Sequence, residues 1–154
     1  MAGKNSTFTL ATYPGSFVCV GEGLVCVKGK LVTNDTRIWR GVWTAPNNDK
    51  YDGEWANGIP YGFGTLMQVG GPTYVGDFKD GDFHGSGRWF DDNGKKYDGD
   101  WKDGVYHGSG ALTYPNGDEY EGEFANGKPN GRGTLTQVDG LSYVGDWKDG
   151  DFNG

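Results

Sequence analysis

The chain has 154 residues, 30 of them glycine, with 15% aromatic and 23% charged residues. That length bounds it to one domain or one stretch of a repeat array. The mixture of rings and charges excludes a disordered polymer, and the glycines lack collagen's every-third-residue register. A formal charge of −7 argues against nucleic acid as a partner, because that binding uses Lys and Arg to displace counterions from phosphate. It also weakens direct binding to anionic lipid.

The N-terminal stretch MAGKNSTFTLATYPG holds no continuous apolar run, so no signal peptide is read there, and no segment reaches membrane-spanning length. FVCVGEGLVCV (Phe17–Val27) reads as a capping hairpin, with residues 1–27 as an N-terminal cap. Cys19 and Cys26 would face each other across it, as two small buried hydrophobes in preference to a disulfide. Residues 28–50 read as a degenerate repeat, since WRGVWTAPNNDK (39–50) keeps register with GSGRWFDDNGKK (85–96).

From residue 51 the period is plain. Tyr51, Tyr74, Tyr97, Tyr120 and Tyr143 stand 23 residues apart. Each opens the pattern Tyr-x-Gly-x-Trp/Phe-x-x-Gly-x-x-x-Gly-x-Gly-x-Leu/Trp, giving four full repeats and a shorter fifth over 51–154. Residues 51–85 match 120–154 at 24 of 35 positions, as expected from duplication of a three-repeat block. On that reading the array is expected to continue past Gly154.

Two turn signals recur in each repeat. Asn-Gly or Asp-Gly at positions seven and eight (Asp103-Gly104 is one) fits a type I′ hairpin loop. Segments such as Asp92–Gly94 and Pro115–Gly117 fit three-residue loops with a left-handed glycine. Together they predict Trp101 opposite Tyr106, Gly99 opposite Gly108, Tyr97 opposite Gly110, Leu112 opposite Tyr120, Gly110 opposite Gly122 and Gly108 opposite Phe124. Alternation then places large rings beside bare glycine backbone on one face and polar residues on the other. No helical periodicity offers a cover. The fold class is all-β, an elongated single-layer antiparallel sheet of stacked hairpins.

Carboxylates recur at position four (Glu54, Asp77, Asp100, Glu123, Asp146), three of them with a second acid two residues earlier (Asp52, Asp98, Glu121). A hydrolase needs one such pair, in a cleft, with pKa values pushed apart. Repetition on an open face reads instead as a solvated surface. His84 and His107 lie in equivalent positions of neighbouring repeats, roughly 9–10 Å apart, too far to converge on one zinc. No metal, cofactor or catalytic residue is assigned.

The pattern YxGxW/FxxGxxHGxGxL resembles the MORN repeat (membrane occupation and recognition nexus), clearly over 51–154 and loosely over 28–50. Position eleven is His at 84 and 107 but Tyr61, Asn130 or Asn153 elsewhere. The resemblance implies an elongated hairpin stack serving as scaffold, dimerisation or localisation module. Enzymes that carry such repeats hold their activity in other domains, so it brings no active site.

The residues expected to bind form an aromatic stripe: Tyr74, Phe78, Trp89, Tyr97, Trp101, Leu112, Tyr120, Phe124, Leu135, Tyr143 and Trp147. A single sheet leaves one side of these rings uncovered, and contiguous apolar surface marks a contact site. The expected function is a non-catalytic scaffold binding a protein segment or a second copy through this groove. The alternative is a phospholipid-associated targeting module, a fragment of a larger enzyme being included there. The expected location is the cytoplasm, with cytoskeletal or membrane association implied by the resemblance.

Overall fold

Turn chemistry builds the molecule. At Asn57, Asp80, Asp103, Asn126 and Asp149 φ lies between 49° and 53°, and the glycine that follows each also has positive φ. Two consecutive left-handed residues make the expected type I′ loop. At the opposite ends of the strands, the Asp91 N–H donates to the Lys95 carbonyl at 3.0 Å, closing a three-residue loop on Gly94 (φ 88°).

A computed structural model of the chain describes residues 16–20, 26–27, 30–31 and 39–154. Its strands are β1 (Ser16–Val20), β2 (Cys26–Val27), β3 (Lys30–Leu31), β4 (Trp39–Thr44), β5 (Lys50–Ala56), β6 (Ile59–Met67) and β7 (Thr73–Lys79). They continue as β8 (Asp82–Phe90), β9 (Lys96–Lys102), β10 (Val105–Thr113), β11 (Glu119–Ala125), β12 (Lys128–Thr136), β13 (Ser142–Lys148) and β14 (Asp151–Phe152). Among the described residues, twelve strands form one antiparallel sheet in the order β1, β4, then β5 to β14 in sequence. The fold class is as expected.

The cap differs from the expected hairpin. β1 pairs with β4, setting Cys19 opposite Gly41, whereas β2 pairs with β3, setting Cys26 opposite Leu31. Alternating apolar residues in both segments left their partners open, and β1 takes the place beside β4 that a first repeat strand would occupy. Trp43 lies opposite Tyr51 as Trp89 lies opposite Tyr97, so residues 39–50 do keep the repeat register. The rest of residues 1–38 lies outside the described residues.

The three-residue loops set the predicted pairs: Leu112 opposite Tyr120, Gly110 opposite Gly122, Gly108 opposite Phe124. Across the type I′ loop, Trp101 faces Tyr106 as expected, but Gly99 faces Gly110 and Tyr97 faces Leu112. The predicted pairs Gly99–Gly108 and Tyr97–Gly110 are corrected by a bulge. His107, Gly108 and Ser109 together oppose Asp100, with Gly108 at φ 61°. Two extra residues preserve which face each side chain takes but bend the hairpin tip. The same shift recurs at 53/55, 76/78 and 122/124.

The bulge also gives the position-four carboxylates a purpose that sequence reading missed. Asp100 accepts from the Ser109 N–H at 3.0 Å, Asp77 from Ser86 at 3.2 Å, and Glu54 and Glu123 from Phe63 and Arg132 at 2.5 Å. Each latches a backbone donor that the ladder has lost.

Packing is aromatic throughout. Tyr51, Tyr74, Tyr97 and Tyr120 each lie over a facing glycine pair. A Cβ on Gly110 would stand 2.6 Å from Tyr97 Cζ, and one on Gly64 equally close to Tyr51 Cζ. The glycines are therefore sockets, as inferred. The tyrosine hydroxyl donates to the carbonyl three residues on, at 2.7–2.9 Å for Tyr51, Tyr74, Tyr97 and Tyr120. Position-five rings join the tyrosines edge to face. Tyr97, for example, meets Trp101 at 5.0 Å and Phe124 of the next repeat at 5.1 Å. The ladder runs from Trp55 to Trp147. Indole N–H groups of Trp55, Trp101 and Trp147 each donate to a carbonyl 14 residues earlier, tying repeats together.

Candidate binding site

The bulge decides which rings meet solvent. Because the tip bends over the sheet, the ring at position ten lands on the tyrosine of its own hairpin. Phe83 stacks on Tyr74 at 3.8 Å and Tyr106 on Tyr97 at 3.9 Å. Pro60 and Pro129 hold the same position in other repeats and are buried. Glycine pairs lie below, position-ten residues above, and ladder rings stand on either side.

The expected open stripe is therefore mostly core. Tyr74, Phe78, Tyr97, Trp101, Leu112, Tyr120, Phe124 and Trp147 are all buried, Tyr97 and Tyr120 completely. The expectation that a single layer leaves one ring face uncovered fails at these residues, because a strand on a bulge covers its own hairpin. Trp89 and Leu135 are half-buried at the margin of the core, and Tyr143 is exposed.

Among the described residues, the middle repeats hold a cavity of about 250 Å³, lined by Trp89, Trp101, Tyr106, Pro72 and Val105, with the turn glycines Gly104 and Gly127. Strand β8 supplies Trp89, and the bend in β10 brings in Tyr106. The Trp101 and Tyr106 rings stand 4.9 Å apart at 73°. The three-residue loop adds Lys95, whose Nζ lies 5.6 Å from the Trp89 ring centre and 5.9 Å from that of Tyr106. Asp91 fixes that loop by accepting from the Asn93 and Lys95 N–H groups. Burial, then the nearby Asp91 carboxylate and Tyr114, push the Tyr106 hydroxyl up to about 12, so it stays neutral at ordinary pH.

Trp89 and Trp101 belong to the expected set. Tyr106 was missed, although a signal existed: position ten carries Phe83, Tyr106 and Phe152 as well as two prolines. The paired carboxylates do not form a cleft. Asp100 holds its bulge amide, and Asp98 takes Arg88 at 2.9 Å in an exposed ion pair, which contributes little to stability. His84 and His107 each sit beside a positive-φ glycine in successive bulges.

The MORN-repeat family model matches five consecutive copies, at residues 51–71, 74–96, 97–119, 120–142 and 143–154. The chain belongs to the MORN-repeat family. MORN repeats occur in membrane-associated and protein-interaction proteins. Among the described residues, no helix is long and apolar enough to cross a membrane. A search of curated proteins returns no match.

Proposed function

We propose that this MORN array is a non-catalytic scaffold that holds a segment of a protein partner at the cavity beside Trp89. The cavity carries the reading. At about 250 Å³ it lies below the range of drug-sized ligand sites and suits one or two side chains. Its walls include tryptophan and tyrosine, the residue types enriched at binding anchors. Trp101 is held by its Gly87 hydrogen bond and Tyr106 by its stack on Tyr97, so binding orders few additional groups. A non-catalytic role accords with position-four acids that repeat the same structural bond in four successive hairpins.

Affinity selection of a random-peptide library on the immobilised chain tests this. Selected peptides are expected to lose at least tenfold in affinity on Trp89→Ala, about 1.4 kcal/mol. Trp89 lies at the margin of the core, so thermal unfolding of the variant checks that the fold persists. Failure to select any peptide, or equal affinity for both proteins, would overturn the reading. Light scattering on the same samples shows whether a second copy supplies the segment.

A second reading, phospholipid targeting, draws on Val69 and Val138, exposed at equivalent loop tips three repeats apart. With a charge of −7, the chain is expected to stay in the supernatant when spun with phosphoinositide vesicles at physiological salt.

A further inference from the structure

This inference rests on the scaffold reading and names the chemistry of the group that the cavity accepts. We infer that the Trp89, Trp101 and Tyr106 rings form a cage for an ammonium group of the methylated-lysine type, carried by the partner segment and displacing Lys95.

The first observation is that the molecule already places an ammonium against two of these rings. Lys95 Nζ is within 6 Å of two ring centres, the range in which a ring's negative face attracts a cation. Trp101, buried and in edge-to-face contact with Tyr106 at 73°, also lines the cavity. Among the described ion pairs Lys95 takes no part. It is a tethered cation beside Trp89 and Tyr106, two of the residues that line the space of about 250 Å³.

The second observation is that the Gly104, Gly127 and Trp101 donors of the cavity are already spent. The Gly104 N–H donates to the Phe83 carbonyl at 3.0 Å and the Gly127 N–H to the Tyr106 carbonyl at 3.1 Å. The Trp101 indole N–H donates to the Gly87 carbonyl at 3.0 Å. An anion would find none of these three free. Ring faces, Pro72 and Val105 instead suit a bulky, weakly hydrated cation that asks for no hydrogen-bond acceptor. Charge agrees: the chain carries −7, and Asp91 anchors the loop that bears Lys95.

Choline and its neutral carbon isostere dimethylbutanol are the probes, titrated into the full chain while the indole N–H signals are followed by NMR. Choline is expected to shift the Trp89 signal saturably, with dimethylbutanol at least tenfold weaker. Lys95→Ala removes the tethered competitor and is expected to tighten choline binding several-fold, whereas Trp89→Leu abolishes it. Equal binding of both probes, weaker choline binding by Lys95→Ala, or no saturable shift in either protein would overturn the cage. If peptides selected on the chain still depend on Trp89 in those cases, the scaffold reading stands and only the cation chemistry falls.

Discussion

Alanine at Gly110 is expected to lower the free energy of unfolding by about 3 kcal/mol, at the upper end of overpacking costs. Its Cβ would stand 2.5 Å from the Tyr97 hydroxyl oxygen and 2.6 Å from Cζ, well inside van der Waals contact. The ring has nowhere to go. Tyr106 stacks on it at 3.9 Å, and Trp101 and Phe124 meet it edge to face. The comparison is Gly71→Ala, where the new Cβ meets only Gln68, its Cβ at 3.2 Å and its carbonyl oxygen at 3.9 Å. That change is expected to cost less than about 1 kcal/mol, as for most surface substitutions. Urea unfolding of both variants reads the difference, and equal midpoints would show that the socket is not tight.

A second large effect belongs to alkaline pH. Burial first, and the position-four carboxylates next, raise the hydroxyl pKa of Tyr51, Tyr74 and Tyr97 well above the usual 10 and that of Tyr120 to about 12. Tyr106 is also raised to about 12, by burial and then Asp91. In the unfolded chain these phenols lose their protons near 10. Above that pH the folded state binds more protons, so stability is whole below pH 10 and lost as pH rises through the folded values. Each tyrosine removes about 1.4 kcal/mol per pH unit in that window. Five acting together rival the whole stability of an ordinary domain within one or two units. Circular dichroism and tyrosinate absorbance should therefore change together, as one transition above pH 10. Ionisation of these tyrosines near pH 10 with the sheet intact would contradict the buried ladder.

Much of this fold is legible in the sequence because its determinants are local and repeated. Asn57-Gly58 and its equivalents specify a turn by backbone sterics alone, and each further copy removes another register. The Gly-and-Tyr spacing likewise points to rings over bare backbone. The bulge is different. Gly108 reads as one more strand glycine, and alternation is blind to an insertion of two residues because it leaves every face unchanged. Yet that insertion bends Tyr106 over Tyr97 and turns an expected open stripe into a core. The candidate site was thus half legible. Trp89 and Trp101 follow from the stripe, whereas Tyr106 and Lys95 join them only through the bend and the loop. The cap was ambiguous because β1 and β2 offer similar apolar strands, and pairing across a long connection leaves no local mark.

Hydrogen exchange at the indole N–H groups of Trp55 and Trp101 tests the sealed ladder most directly. Both donate to carbonyls 14 residues earlier, at 3.1 and 3.0 Å, and both side chains are buried. Their exchange is expected to be slow in native buffer, and to respond to denaturant as steeply as global unfolding does. Exchange of either group at the rate of a free indole, under conditions where the sheet is intact, would mean that the rings are open to water.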